Sequence, residues 1–313
     1  MLVDVEPSLA RSTREEMGLA ESTPISQRYE EALESQEIEV VDICTPSHLH
    51  ADQIIAGLAA GKHIVTEKPT GYSLEECRKL SFHRVKYPEP KVAVAYSLRY
   101  YPVNMAVRKL VDEGRIGEPI SGQFTWNHPF DPEKREERRA RVTGVLADKG
   151  GRYIPGSEAC GPTHVFDLAR YMLGEVEEVF AYKKSFGTYA LAVFESGAVC
   201  TLTAATSSSW GSRNPTVLCI QGTEGTIHTV MNKSGQYTGT IAERAGETQI
   251  EASPETGHGD TTRTANVIDA IKRAEPLICP LEEGIKTSEF LHALWDSHNL
   301  GIRVPVHRSA KTG

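Results

Sequence analysis

The sequence predicts an α/β protein: a doubly wound parallel-sheet domain over residues 1–98, then an α/β domain over residues 99–313 whose open sheet is largely antiparallel. First, strand and helix patterns alternate up to about residue 97, as in parallel sheets. Second, the later apolar runs follow one another with turn signals between some of them, which is typical of antiparallel sheets. Third, 313 residues with 39% hydrophobic content suffice for two cores.

The clearest unit is a strand, a helix and a second strand between residues 38 and 70. The apolar run at residues 40–44 is ended by Thr45-Pro46, because proline has no N–H to continue a strand. The second strand, Ile64-Val65, leads into Glu67-Lys68-Pro69. Two strands joined through a helix of this length run parallel, and ligands bind beyond the carboxyl ends of parallel strands. Both proline-containing segments are therefore placed where chemistry would occur.

The remaining elements follow from the same patterns. Ser47 is expected to cap the helix of the central unit, and the S-L-E-E sequence from Ser73 predicts another capped helix. Further helices are expected at residues 8–17, 29–33, 102–113, 162–173, 261–273 and 281–300, and strands at residues 1–3, 25–27, 91–96, 120–126, 176–183, 188–195, 198–206, 216–221 and 226–230. The charged segment 131–141 is interpreted as a solvated surface.

Composition narrows the classes of protein. The net charge of −8, with no basic block that carries aromatic residues, argues against a nucleic-acid partner. No apolar run is long enough to span a bilayer, and no signal peptide is recognisable, so no membrane partner is expected. The six cysteines are scattered without a C-x-x-C pair, which favours a reducing, cytoplasmic setting. His48 and His50 point apart at a helix start, so no metal site is predicted.

Lys68 is the first candidate for chemistry, because it follows the end of a predicted strand. A lysine there can donate a hydrogen bond to a substrate hydroxyl or carbonyl and, if its pKa is lowered, can move protons. The proline after it restricts the backbone and is compatible with a cis peptide bond. From the E-K-P sequence alone, Lys68 is equally well interpreted as an ordinary surface lysine in a loop.

His164 is the second candidate. His164, Asp167 and Tyr171 are spaced i, i+3 and i+7, so they share one face of a predicted helix. A helix start lowers the pKa of a histidine, so a neutral, proton-accepting ring is expected, with Asp167 orienting it. Taken alone, this segment slightly favours a packing histidine. Asp4 follows the first strand, where an acid binds the adenosine ribose in dinucleotide folds, although one such acid is a weak signal.

Together these segments resemble the Gfo/Idh/MocA family of NAD(P)-dependent oxidoreductases, which act on sugars, inositols and related polyols. The matching stretches are Leu2-Val3-Asp4, Val40–His50, Gly61–Pro69, Arg99–Pro102, Gly114–Pro119 and Gly161–Gly174. The resemblance implies a Rossmann domain, and hydride transfer between a hydroxyl-bearing carbon and C4 of the nicotinamide. It implies that Lys68 polarises the reacting hydroxyl and that His164 is the acid–base group.

The resemblance also implies the binding residues and partners. The cofactor would contact Asp4, Thr45, Pro46, His50, Glu67 and Lys68, and the substrate would contact Lys68, Arg99, Cys160, His164 and Asp167. NAD is favoured over NADP, which stays possible, because no arginine directly follows Asp4. The expected partners are a small sugar or polyol and further copies of the chain, in a dimer or tetramer formed through the open sheet.

Two departures from the family pattern bear on function. Cys160 stands where many members of the family carry an aspartate. An ordinary thiol has a pKa of about 8.5, so it is not a permanent anion near neutral pH. The lysine–aspartate–histidine proton relay that the resemblance implies is therefore incomplete, unless Glu158 takes part. The chain also begins at the family's second strand, without the first strand and its G-x-G-x-x-G turn, and we expect it to be a shortened form of a longer protein. A redox-neutral, NAD-dependent glycosidase and a non-catalytic binding or sensor protein are the alternatives.

Overall fold

The computed structural model describes residues 1–71, 73–129, 163–184, 187–207, 216–231, 237–252 and 259–308. The helices are α1 (Pro7–Glu16), α2 (Tyr29–Glu34), α3 (His50–Ala59), α4 (Leu74–Lys86), α5 (Pro102–Asp112), α6 (Thr163–Leu173), α7 (Asp260–Arg273) and α8 (Leu281–Leu300). The strands are β1 (Leu2–Val3), β2 (Ile25–Ser26), β3 (Val40–Ile43), β4 (His63–Thr66), β5 (Val92–Val94), β6 (Pro119–Pro129), β7 (Val176–Lys184), β8 (Gly187–Phe194), β9 (Val199–Ser207), β10 (Thr216–Gly222), β11 (Gly225–Met231), β12 (Tyr237–Glu243), β13 (Gly246–Gln249) and β14 (Val304–Pro305).

The first five strands form two parallel sheets. Strands β1 and β2 pair with each other, and β3, β4 and β5 form a second sheet in that order. The core of the second sheet contains Val41 and Ile43 of β3, Ile54 and Leu58 of α3, and Ile64 of β4. Because Ile54 and Leu58 are four residues apart, they lie on one face of α3 and pack together on the sheet. The predicted parallel α/β part is confirmed.

The two predicted helix caps have different outcomes. The Ser73 hydroxyl accepts a hydrogen bond from the Glu76 backbone N–H at 3.1 Å, so it caps α4 as expected. Ser47 does not cap α3, and that prediction is wrong. Instead it begins a short 3-10 turn, Ser47–Leu49, in which the Leu49 N–H donates to the carbonyl three residues back, and α3 starts at His50.

The later strands form one nine-stranded sheet in the order β13-β12-β11-β10-β6-β9-β8-β7-β14. Its neighbouring strands are antiparallel except β6 and β9, which confirms the predicted largely antiparallel sheet. Strands β12 and β13 were not predicted, because β12 is mostly polar and all four residues of β13 are exposed.

Helix α8 packs against both parts of the molecule. Leu281 and Ile285 at its start belong to the core around β3–β5, whereas Phe290 and Leu291 belong to the core of the nine-stranded sheet. A C-terminal helix thus completes the core of the N-terminal part, through contacts remote in sequence. The domain boundary after residue 98 stays a prediction.

Three further features bear on the class of protein. In the part of the chain that the structure describes, no helix is both long and apolar enough to cross a membrane. Over the same residues, no three His, Cys, Asp or Glu side chains are grouped so that they could hold a metal ion. Cys44, Cys77, Cys200, Cys219 and Cys279 are free thiols. The predicted surface segment 131–141 lies outside the described residues.

Candidate active site

The loops after β3 and β4 lie side by side. Ile43 at the end of β3 pairs with Thr66 at the end of β4, so both strands present their carboxyl ends at one edge of the sheet. Lys68 follows β4 and is only 8% exposed. Its Nζ lies 3.6 Å from Glu67 Oε2, and the Lys68-Pro69 peptide bond is cis. The edge therefore carries a largely buried ammonium group with a carboxylate beside it.

His50 joins these two loops. Its ring is 1% exposed, with Nδ1 at 2.8 Å from the Pro69 carbonyl oxygen and Nε2 at 2.8 Å from the Thr45 carbonyl oxygen. Both ring nitrogens are thus engaged by the protein backbone. These contacts link the loop after β3 to the loop after β4, and a contact of His50 with the cofactor stays a prediction.

His164 lies in the first turn of α6 and is packed between aromatic rings. The ring is 8% exposed, and its Nδ1 is buried with no hydrogen-bond partner among the described residues. The indole of Trp126, on β6, stacks on the imidazole with ring centroids 5.7 Å apart and an interplanar angle of 28°. Tyr96 meets the imidazole edge-on, at 6.0 Å and 88°. The histidine is therefore held by packing on both its face and its edge.

The charge state of His164 follows from its surroundings. Burial lowers its pKa well below the ordinary value, and the positive charges of Lys68 and of Arg263 on α7 lower it further. The ring is therefore neutral near neutral pH and can accept a proton. The sequence predicted a neutral ring because of the helix dipole, whereas burial and two nearby cations produce it here.

Asp167, one turn further along α6, is fully buried and bonded elsewhere. Its carboxylate accepts hydrogen bonds from Nε and Nη2 of Arg99, both at 2.8 Å, and from the Thr287 hydroxyl at 2.8 Å. Arg99 is itself 2% exposed, and its guanidinium lies over the Tyr171 ring at 5.0 Å. Asp167 is therefore bonded to Arg99 and Thr287, contrary to the expectation that it orients His164, and substrate contact by Arg99 and Asp167 stays a prediction.

The buried pair extends into a larger ionic network. Arg99 Nη2 also lies 3.2 Å from Glu283 Oε2 on α8, and Arg170 of α6 contacts Glu283 and Glu175. Burial alone would raise the pKa of Glu283, but Arg170 and Arg99 overcome this and lower it to about 2. The network ties α6 to α8 and so fixes the helix that carries His164.

The other predicted site residues have separate outcomes. Asp4 lies directly after β1, where its Oδ1 accepts a hydrogen bond from the Glu6 N–H at 2.8 Å. Thr45 and Pro46 lie in the loop after β3, as expected, and their contact with the cofactor stays a prediction. Cys160 and Glu158 lie outside the described residues, so the incomplete-relay hypothesis stays a prediction.

Sequence reasoning missed Trp126, Tyr96 and Arg263. A signal for Trp126 was present, because Phe124 and Trp126 are two residues apart and side chains in a strand alternate between faces. Phe124 is fully buried, so Trp126 faces the same side of β6. Arg263 gave no such signal, because it stands in a polar stretch far along the chain.

Comparisons with known proteins identify the family to which the chain belongs. Residues 1–94 match the family described as an oxidoreductase family with an NAD-binding Rossmann fold. Residues 104–228 match the GFO/IDH/MocA C-terminal domain. The chain belongs to the Gfo/Idh/MocA family, as the resemblance implied.

Individual relatives support this assignment. The levoglucosan dehydrogenase of Pseudarthrobacter phenanthrenivorans is 33% identical over 183 residues, which are 58% of this chain and 44% of that protein. The inositol 2-dehydrogenase of Rhizobium meliloti is 35% identical over 139 residues, 44% of this chain and 38% of that protein. The matched segment thus spans less than half the length of either relative.

Solved structures share the fold. A levoglucosan dehydrogenase in complex with NADH and levoglucosan superposes with a TM-score of 0.81 at 24% identity, covering 98% of this chain and 89% of that one. An oxidoreductase from Agrobacterium radiobacter, in complex with NAD+, L-tartaric acid and magnesium, gives a TM-score of 0.79 at 19% identity, covering 97% and 90%. At these identities the likeness establishes the architecture.

Proposed function

We propose that this protein is an NAD-linked dehydrogenase that oxidises a hydroxyl group of a sugar, an inositol or a related polyol. The observation that carries the proposal is the buried His164, stacked on Trp126 and held neutral by burial and by the charge of Lys68, which itself follows β4 at the carboxyl ends of the parallel strands. Ligands of open α/β sheets bind at this edge. The named relatives act on substrates of this class, as levoglucosan and inositol dehydrogenases.

The residues of this chain can account for binding of the two ends of NAD, the nicotinamide and the adenosine ribose, but not of the diphosphate between them. The loops that contain Thr45-Pro46 and Glu67 fit the nicotinamide end, because they lie at the carboxyl ends of the parallel strands. Asp4 after β1 fits the adenosine ribose, because only one of its carboxylate oxygens accepts the Glu6 N–H. The sequence contains no G-x-G-x-x-G turn for the diphosphate. Bound NAD would supply the hydride acceptor, and Asp4 without a following arginine favours NAD over NADP.

Lys68 and His164 have different roles in the oxidation of the hydroxyl group. The Nζ of Lys68 donates a hydrogen bond to the oxygen of the reacting hydroxyl and stabilises the negative charge that develops there. The neutral imidazole of His164 accepts the proton that this hydroxyl loses. The low pKa of His164 keeps the ring in the accepting form at neutral pH.

The test is NAD reduction followed at 340 nm with levoglucosan, myo-inositol and scyllo-inositol as substrates. Removing one group that stabilises the charge developing in the transition state costs about 10²- to 10³-fold in rate, so Lys68→Ala should lose turnover by about that factor while still binding NADH. Lys79→Ala removes a lysine whose exposed partner is Glu75 and serves as the matched control, with unchanged turnover expected.

Two outcomes would replace the proposal. Cleavage of an aryl glycoside without net NADH formation would identify the redox-neutral glycosidase. NADH binding with no turnover of any of these substrates would favour the binding or sensor protein. Full activity of Lys68→Ala would remove Lys68 from the mechanism.

We also propose that the open face of the nine-stranded sheet pairs with a second copy of the chain. Phe180 of β7 lies opposite Leu191 of β8, and Tyr182 lies opposite Tyr189. All four are 43–50% exposed, and exposed apolar patches mark interaction sites. Leu191→Asp should reduce the mass measured by light scattering to that of a monomer, whereas Val85→Asp, on the exposed side of α4, should not.

A further inference from the structure

No described residue makes to His164 Nδ1 the hydrogen bond that usually orients a working histidine. The second ring nitrogen of such a residue is commonly bonded to a carboxylate or a carbonyl, which fixes the ring. Here Nδ1 is buried and has no partner among the described residues. The nearest candidate on its own helix face, Asp167, is occupied by Arg99 and Thr287. Among the described residues, the plane of the imidazole is therefore fixed by packing.

Trp126 is placed to do this. It lies on β6, where it is paired with Ala204 of the neighbouring strand β9, so its backbone is held by the β6–β9 ladder. Its ring is nearly parallel to the imidazole, at 5.7 Å and 28°. Tyr96 blocks rotation from the side, through its edge-on contact at 6.0 Å. Together the two aromatic residues define one orientation of the imidazole.

We propose that Trp126 is the positioning residue of His164, and that its indole face holds the imidazole plane in place of a hydrogen-bonded carboxylate. The inference rests on the proposed function, because it takes His164 as the acid–base group. An aromatic pair of this kind favours the stacked arrangement by about 2- to 10-fold beyond simple burial. The indole also keeps water from the ring, in agreement with burial as the main cause of the low pKa.

The indole itself points to stacking as the means. Its Nε1 is buried and, like His164 Nδ1, has no hydrogen-bond partner among the described residues. The contact between the rings therefore depends on their faces and not on a donated proton. It follows that phenylalanine, which keeps an aromatic face but has no N–H, should replace Trp126, whereas leucine should not.

The experiment compares Trp126→Leu with Trp126→Phe in the proposed dehydrogenase assay. We expect Trp126→Leu to lower kcat by about 3- to 10-fold with little change in the KM for the polyol, because the loss is in alignment of the base. Trp126→Phe should stay within about twofold of the parent. Trp295→Phe, at a tryptophan whose ring contacts Lys183 and His298, is the matched control.

A second readout separates positioning from a general loss of packing. The charges that reach His164 are those of Lys68 and Arg263, and Tyr96 contacts its edge; none of them changes in these variants. Opening the site to water in Trp126→Leu should raise the midpoint at which the His164 ring titrates, measured by NMR of the ring protons. In Trp126→Phe the midpoint should stay low.

The outcomes are distinct. If His164→Gln and Lys68→Ala keep full turnover, the proposed function fails. If those variants lose turnover but Trp126→Leu keeps the parent kcat and titration midpoint, the inference about Trp126 alone is overturned. If Trp126→Phe is as impaired as Trp126→Leu, stacking is not the means and the inference is again overturned.

Discussion

His164 and Asp167 lie one turn apart on α6, and both were predicted from the same H-x-x-D pattern, yet their hydrogen bonding differs. Asp167 is fully buried and accepts three hydrogen bonds, two of them from a buried guanidinium. His164 is nearly as buried, but its Nδ1 is bonded to none of the described residues. The saturated group stabilises the fold, whereas the neutral ring gains no such stabilisation through Nδ1 from the described residues.

The comparison is tested most strongly by Asp167→Asn. The amide cannot balance the Arg99 charge, and removing one partner of a buried ion pair costs about 3–5 kcal/mol. Unfolding in urea should show a loss of that size. The matched control is Asp112→Asn, because Asp112 forms an exposed pair with Arg108 one turn away on α5, and such pairs contribute only about 0.3–0.5 kcal/mol. Equal losses in the two variants would contradict a stabilising role for the Arg99–Asp167 pair.

His164→Gln should show the reverse pattern. The variant loses a neutral ring that makes no hydrogen bond through Nδ1 to the described residues, so the free energy of unfolding should fall by only about 1–2 kcal/mol, from lost packing. Turnover should fall by about 10²- to 10⁴-fold if the ring is the general base. His83→Gln, on α4, is the control for replacing a histidine. A variant that was unfolded but active per folded molecule would place His164 with Asp167 among the structural residues.

Much of this arrangement could be predicted from the sequence, because it depends on local patterns. The alternation of strands and helices, the Ser73 cap and the position of Lys68 after β4 all follow from neighbours within a few residues. The bonding of Asp167 could not be predicted, since Arg99 and Thr287 lie 68 and 120 residues away. His50 illustrates the same limit: nothing in its local sequence predicts that its two ring nitrogens lie 2.8 Å from the carbonyl oxygens of Thr45 and Pro69.

The smallest expected effect is the contribution of His164 to the pH dependence of the free energy of unfolding. Its sign is opposite to that of a histidine paired with a carboxylate. Burial and the nearby cations hold the folded-state pKa of His164 well below the ordinary value of 6.5. At a pH below about 6.5, the His164 ring is protonated in the unfolded chain but stays neutral in the folded protein. The free energy of unfolding therefore falls as the pH drops below about 6.5, and above that pH this group does not change it.

One such group contributes at most about 1.4 kcal/mol per pH unit. Between pH 6.5 and 5.5, the parent should lose about 1 kcal/mol more than His164→Gln in urea unfolding. His63, whose pKa is also lowered by burial, is unchanged in both proteins and cancels in the difference. Parallel pH profiles for the parent and His164→Gln would mean that His164 is not held neutral by the fold, and the contrast with Asp167 would then rest on hydrogen bonding alone.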